Sequence, residues 1–189
     1  KVTGVSRKGK YLLLQLDSGD VLVIHLRMSG QLLRSANKDA VEKHTHVIIT
    51  FTQGGQLRFV DPRTFGEMFV VGKAELPEVP EIAELGLDPV EEPVSWQTFA
   101  QLLRSRSTKL KAFLTDQSII AGIGNIYSDE ILFDAGLRYD RMTDALTSQE
   151  IRRLYRAVVE ILHDAIKFGG STLPDEQYVD LHGKPGTYQ

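Results

Sequence analysis

Hydrophobic positions fall into two regimes along the chain. Up to about residue 70 they form short runs bounded by turn residues, the pattern of antiparallel strands. Tyr11-Leu12-Leu13-Leu14-Gln15-Leu16 and Val21-Leu22-Val23-Ile24-His25-Leu26 flank the turn Asp17-Ser18-Gly19-Asp20. Val47–Phe51 and Gln56–Val60 flank Gly54-Gly55, a hairpin signal, and Met68–Val71 reads as a fifth strand. From Glu75 to Pro93 periodicity is weak, which reads as a linker with one short turn.

From Ser95 onward the spacing is helical. Ser95 is placed to cap a helix carrying Phe99, Leu102 and Leu103, and Ser107 or Thr108 to cap a second with Leu110, Phe113 and Leu114. The turn Ala121-Gly122-Ile123-Gly124 leads to Asn125, a candidate N-cap for a helix ending near Gly136. Thr147-Ser148-Gln149-Glu150 is a capping box, and Ile151, Leu154, Tyr155, Val158, Leu162 and Ile166 follow on one face until Gly169-Gly170. The stretch from Ser171 to Gln189 reads as loop. The pattern as a whole predicts an α+β chain, strands first and helices after.

Composition narrows the class. Of 189 residues, 42% are hydrophobic and 25% charged, which argues against wholesale disorder. No apolar run approaches the ~20 residues of a membrane span. There is no cysteine, which excludes disulfides and thiolate metal sites within these residues and fits a reducing cytosol. A start at Lys1, with neither initiator Met nor signal pattern, suggests a chain that begins partway through a longer product. The net charge of −3 hides an asymmetry. Seven acids and no Lys or Arg lie between Glu75 and Glu92, so the remainder carries −3 + 7 = +4. Two acid-free stretches concentrate the positive charge: Lys1, Arg7, Lys8 and Lys10, then Arg104, Arg106, Lys109 and Lys111. Either is a solvated face or a phosphate-binding surface.

Three constellations could carry chemistry. Gly122-Ile123-Gly124-Asn125 opens a helix whose free amides can hold an anion, with Lys111 near, or else the glycines merely permit a helix–helix corner. His44-Thr45-His46 would share a strand face, but two histidines without a third ligand are weak evidence for a metal and fit a polar or DNA-facing surface. Asp61-Pro62-Arg63-Thr64-Phe65-Gly66 is either a tight turn with a core Phe or an exposed wedge beside a cation, the pair used to enter a DNA stack.

Taken together, the sequence resembles the formamidopyrimidine-DNA glycosylase family, the Fpg/Nei repair enzymes. The matching motifs run in order: Arg7-Lys8-Gly9-Lys10-Tyr11-Leu12-Leu13, His25-Leu26-Arg27-Met28-Ser29-Gly30, Lys43-His44-Thr45-His46, Asp61 to Gly66, Asp116 to Tyr127 with its Gly-Ile-Gly-Asn-Ile-Tyr run, Gly169-Gly170-Ser171-Thr172, and Gly183-Lys184-Pro185-Gly186. The resemblance implies an incomplete antiparallel β-sandwich over residues 1–74, an acidic linker over 75–94, a helix–two-turn–helix DNA-binding domain over 95–168, and a lesion-capping loop over 169–189. Lys10 matches a lysine involved in catalysis near the abasic sugar. Met28, Arg63 and Phe65 match the trio that fills the gap left by an everted nucleotide. His44, Arg63, Arg106, Lys111 and Asn125 match DNA-backbone contacts, and Ser171 and Thr172 belong to the loop, through Gly183, that closes over the flipped lesion.

The family's chemistry would be base-excision repair, with glycosylase and abasic-site lyase steps on formamidopyrimidine and 8-oxoguanine. The implied partner is damaged double-stranded DNA, bound by a monomer in the bacterial cytoplasm at the nucleoid, with no membrane role. Two departures stand out. The family's N-terminal Pro-Glu is lacking in a chain that starts at Lys1, and its four-cysteine zinc finger has no counterpart, so no cofactor is expected within these residues and zinc only in a finger beyond them. The expectation is a catalytically incomplete core. The alternative is a non-catalytic module that binds bent or damaged DNA.

Overall fold

A computed structural model describes residues 1–173 and 177–188. Among these, seven strands come first: β1 (Val2–Lys8), β2 (Tyr11–Leu16), β3 (Asp20–His25), β4 (Gln31–Ser35), β5 (Thr45–Thr50), β6 (Gln56–Val60) and β7 (Glu67–Gly72). Five α-helices follow: α1 (Pro80–Ala83), α2 (Trp96–Arg104), α3 (Leu110–Thr115), α4 (Asn125–Asp134) and α5 (Ser148–Lys167). The fold is α+β, as the two hydrophobic regimes require. β1 and β4 are the strands that periodicity does not reveal. Val2-Thr3-Gly4-Val5-Ser6-Arg7-Lys8 has no fully buried position, and β4 buries only Leu32, so neither shows a strong apolar alternation.

Contacts divide the chain into two compact units, one of Lys1–Val21 with Val71–Asp164 and one of Leu22–Val70 with Ala165–Gln189. In the first unit, β1 and β2 form an antiparallel hairpin with Lys8 opposite Tyr11. Its two-residue loop places Gly9 at φ +56, the left-handed value that a type II′ hairpin turn needs at its first position. The helical core of this unit buries Phe99, Leu103, Leu110, Phe113, Leu114, Ile120, Ile123, Ile131, Ile151 and Leu154, with Phe99 edge-on to Phe113 at 6.2 Å. Each such side chain contributes on the order of 1.5–3 kcal/mol on leaving water.

Helix starts follow the sequence in part. Ser95 Oγ accepts from the Thr98 amide at 3.1 Å, and Thr147 and Glu150 form the reciprocal capping box at 2.8 and 3.3 Å. Neither Ser107 nor Thr108 caps α3. The Thr108 carbonyl accepts from the Thr143 amide and the Thr108 amide donates to the Thr143 hydroxyl, which holds the segment extended and moves the cap to Lys109. Gly124, not Asn125, is the cap of α4, because Gly124 is extended (φ −115, ψ −168) and Asn125 is already helical.

The acidic stretch is more ordered than a linker. It holds a 3₁₀ turn at Leu76–Glu78 and α1, buries Ile82, and meets Ile120 in a parallel bridge at Leu87. In the second unit, β3 lies beside β7, and β4, β6 and β5 form an antiparallel sheet in that order, with Leu32 opposite Phe59. The buried residues here include Val23, Ile24, Leu32, Phe59 and Val60, together with Arg58 at 2% exposure. Arg58 is satisfied by Gln56 Oε1 and by the carbonyls of Asp39 and Ala40, so it fastens the 36–44 segment to the sheet. No helix among the described residues is long and apolar enough to cross a membrane.

Candidate nucleic-acid interface

In the first unit the candidate residues gather around two turns. The β1–β2 turn presents Lys10, and the aspartate at the end of the acidic stretch fixes it. Asp88 accepts from Arg7 Nη1 at 2.6 Å, Arg7 Nη2 at 3.1 Å, the Gly9 amide at 2.8 Å, and the amides of Val90 and Glu91 at 3.1 and 3.2 Å. Burial alone would push the Asp88 carboxyl up. The hydrogen bonds from Arg7 and Gly9, with the nearby guanidinium charge, outweigh it and hold the group below the ordinary carboxylate range. The same contact raises the Arg7 pKa. Sequence reasoning counted Asp88 only as one charge in an acidic run. The signal it missed is Asp88 followed by Val90 and Glu91, the spacing of a side chain that bonds the backbone two and three residues on.

Lys10 projects toward the glycine turn before α4. A Cβ placed on Gly124 would lie 3.3 Å from Lys10 Nζ, so glycine here makes room for the ammonium. The turn itself is pinned by Gln117, whose amide nitrogen donates to the Ile123 carbonyl at 2.8 Å and whose oxygen accepts from the Gly122 amide at 3.0 Å. A cation beside the positive end of a helix gains nothing from the helix dipole. Partial loss of water also lowers the Lys10 pKa, although much of the residue reaches solvent. The arrangement favours a ligand anion that would sit between the ammonium and the free amides of the α4 first turn.

Lys111 lies on α3 at the same helix start. Its Nζ donates to the Asn125 carbonyl at 3.0 Å and pairs with Asp129 Oδ1 at 2.5 Å. Asn125 is exposed. Arg106 is also exposed; its carbonyl accepts from Thr143 Oγ1, which fixes the backbone while the guanidinium has no partner among the described residues. The first unit therefore brings Lys10, Lys111 and Asn125 to one glycine-built helix start, with Arg106 on the segment leading into α3.

In the second unit the wedge residues converge. The Arg63 guanidinium carbon stands 5.0 Å from the Phe65 ring centroid, and Arg63 Nη1 lies 3.7 Å from Met28 Sδ. Met28 and Phe65 are 55% and 54% exposed, which fits a projecting wedge and excludes a core Phe. Between them Thr64 takes φ +57, a left-handed value that costs a β-branched residue on the order of 1–3 kcal/mol. His44 does not share a strand face with His46, because His44 has φ +66 and lies before β5 begins at Thr45. His46 Nε2 donates to the Asp61 carbonyl at 2.8 Å, and the Asp61 amide donates to the His44 carbonyl at 3.0 Å.

The expected capping loop is tied at its base. Ser171 bridges Thr187, the Thr172 hydroxyl bonds the Tyr178 carbonyl and the Gly186 amide, and the Arg34 amide donates to the Leu181 carbonyl at 2.8 Å. Residues 174–176 of that loop, and Gln189, lie outside the described residues. A zinc site does not fit what is present, since the chain has no cysteine and the described residues hold no cluster of three His, Asp or Glu able to bind a metal.

A strand-rich part ending in an exposed Arg–Phe turn, and a helical part built around a glycine-opened helix, fit the helix–two-turn–helix fold that the resemblance implies. Residues 1–68 match the N-terminal domain of formamidopyrimidine-DNA glycosylase, and residues 85–177 match its H2TH domain. The formamidopyrimidine-DNA glycosylases of Desulforamulus reducens and Pelotomaculum thermopropionicum are 44% and 42% identical over 98% and 100% of this chain. The crystal structure of MutM (Fpg) from Thermus thermophilus aligns with a TM-score of 0.89 at 40% identity, covering 98% of this chain and 68% of that one. Lactococcus lactis Fpg in complex with DNA containing an abasic site aligns at 0.88 and 33% identity, over 99% of this chain and 68% of that one. The chain belongs to the formamidopyrimidine-DNA glycosylase family. It spans about two thirds of the length of these two curated relatives, 66% and 68%.

Proposed function

We propose that this chain is the DNA-holding core of a bifunctional glycosylase and abasic-site lyase that removes oxidised purines such as formamidopyrimidine and 8-oxoguanine. The observation that carries the reading is the wedge, with Met28 on one loop and Arg63 and Phe65 on a second, strained turn together and exposed. A base must leave the stack before a pocket can read it, at a cost of a few kcal/mol. An aromatic ring, a thioether and a stacked guanidinium that enter the gap offset part of that cost.

In the complete reaction a secondary amine attacks the sugar C1′, the C1′–N bond breaks, and the base leaves with a proton. The C1′–O4′ bond then opens, O4′ taking up a proton, to give an iminium that acidifies C2′, so proton loss there and departure of the 3′ phosphate cut the strand. Lys10 serves this chemistry as a cation near the sugar–phosphate with a proton it gives up more readily than an ordinary lysine. Arg106, Lys111 and the α4 start bind phosphate, and the segment with Ser171 and Thr172 closes over the everted base.

The 189 residues alone are catalytically incomplete in this reading, so borohydride trapping on abasic-site DNA is expected to be negligible. Trapping at the rate of an intact family member would show an amine in this chain, Lys10 foremost, to be the nucleophile. The wedge is tested by Arg63→Ala and Phe65→Ala. Both are expected to weaken binding to a duplex carrying a tetrahydrofuran abasic analogue more than to intact duplex, with thermal unfolding measured alongside. Equal losses for both duplexes would overturn the assignment.

A further inference from the structure

We infer that Asp61 is the positioning residue of the wedge: its side chain ties the Met28 loop to the Arg63–Gly66 turn, and so sets the geometry in which Met28, Arg63 and Phe65 enter DNA. The inference rests on the gap-filling reading above and names the residue that makes it possible.

Asp61 is 1% exposed and Ser29 is 5% exposed. Asp61 Oδ1 accepts from Ser29 Oγ at 2.5 Å and from the Arg63 amide at 3.2 Å, and Oδ2 accepts from the Gly66 amide at 2.7 Å. Ser29 Oγ in turn accepts from the Arg63 amide at 3.3 Å. Ser29 directly follows Met28, and the two bonded amides bracket Thr64 and Phe65. One carboxylate thus holds both loops from which the three exposed side chains project. The backbone of Asp61 adds the link to His44 and His46 described above.

The donors on this carboxylate are a hydroxyl and two amides, all neutral. Burial pushes the Asp61 carboxyl up, but the Ser29, Gly66 and Arg63 hydrogen bonds outweigh it and hold the group below the ordinary carboxylate range. An anion suits the site for a geometric reason. Three donors converge on two oxygens, and only a carboxylate offers acceptors at both ends. An asparagine of the same size must turn its NH₂ toward either the Gly66 amide or the Ser29–Arg63 pair, leaving a donor facing a donor. The strained φ of Thr64 persists because its neighbours on both sides are fixed this way.

The test uses the whole chain with two duplexes, intact and carrying tetrahydrofuran opposite 2-aminopurine. Asp61→Asn is expected to lower the preference for the tetrahydrofuran duplex about tenfold, the size of one lost buried hydrogen bond, and to leave intact-duplex affinity within about twofold. It is also expected to abolish the 2-aminopurine fluorescence change that reports side chains entering the gap, and to speed hydrogen exchange at the Gly66 amide. A merely structural role would lower the unfolding midpoint and both affinities together, with the preference kept, and that result overturns the inference. Arg63→Ala and Phe65→Ala serve as references. If they lose the preference and Asp61→Asn keeps it, Asp61 does not position the wedge. If they keep it, the gap-filling reading fails and takes this inference with it. Should Asp61→Asn fail to fold, Ser29→Ala carries the test: it leaves the carboxylate and its amide bonds intact and is expected to lower the preference about threefold, and no change overturns the proposal.

Discussion

Two buried aspartates fix the two turns from which the candidate side chains project, and they do so differently. Asp88 faces a guanidinium and three amides, and Asp61 faces a hydroxyl and two amides. The first is a charged pair with Arg7, whose side chain is 31% exposed; the second is a lone anion among neutral dipoles. A charged pair resists the loss of any one amide because the ion pair remains, whereas an anion held by dipoles depends on each donor being in place. The Lys10 turn is therefore built for charge and tenacity, and the wedge turn for geometry.

That contrast is broken most directly by deleting each acceptor. Asp88→Ala leaves Arg7 without its partner and three amides without theirs, and is expected to cost about 3 kcal/mol. Asp61→Ala strands two amides and a hydroxyl and is expected to cost about 2 kcal/mol. Urea midpoints of the two variants measure the difference. A larger loss for Asp61→Ala would mean that the guanidinium adds nothing to the Asp88 site.

Acid unfolding sharpens the same comparison. Both carboxyls are held below their ordinary values in the folded chain. The stability each contributes is complete above the unfolded value near ~3.9 and is lost as pH falls through the lower folded value, about 1.4 kcal/mol for each unit of depression. Removing the guanidinium in Arg7→Leu leaves the upward push of burial on Asp88 less opposed, so its folded pKa rises and the acid limb of the stability curve shallows. Ser29→Ala removes a neutral donor from Asp61 and is expected to change that limb less. Equal changes in slope between pH 2 and 5 would show that the charge on Arg7 is immaterial.

How much of this could be read beforehand depends on where the information lies. Helices announced themselves because apolar residues such as Ile151, Leu154 and Val158 recur at helical spacing and caps such as Ser95 act on residues three positions away. The Asp61–Gly66 motif was legible, and the exposure of Phe65 excludes the reading as a turn with a core Phe. β1 was not legible, because a strand without a fully buried position leaves no apolar alternation. The partnership of Asp88 with Arg7 spans 81 positions, and that of Ser29 with Asp61 spans 32, so no local pattern reports either. Asn125 was misplaced by a single position because the cap preference of Asn is statistical, while the extended backbone that starts α4 falls at Gly124, where a Cβ would press on the Lys10 ammonium at 3.3 Å.

Lys10 provides a smaller effect with a definite sign. Its ammonium is partly stripped of water, which disfavours the charged form in the folded chain. Lys10→Met keeps the length of the side chain and removes the charge, so the thermal midpoint is expected to stay or rise while binding to abasic-site duplex falls. A lower midpoint with unchanged binding would make Lys10 a structural cation and remove it from the proposed site.

The smallest effects are in salt dependence, and they separate two lysine and arginine contacts that the sequence treated alike. A side chain that neutralises one phosphate releases about one counterion, so Arg106→Ala is expected to reduce the slope of log K against log salt by about 1. The Arg106 guanidinium has no partner among the described residues, so nothing must be given up when it meets DNA. Lys111 starts in an ion pair with Asp129 at 2.5 Å, and phosphate must take the place of that carboxylate. Exchange of one anion for another returns less free energy than pairing a free cation, so Lys111→Ala is expected to lose less affinity than Arg106→Ala. Asp129→Asn frees the ammonium in advance and is expected to raise affinity for intact and abasic duplexes alike by about threefold, the scale of an exposed ion pair. Filter binding from about 50 to 200 mM salt reads all three variants on one plot. If Asp129→Asn leaves affinity unchanged, the pair with Lys111 is not in competition with phosphate, and Lys111 then differs from Arg106 only in position.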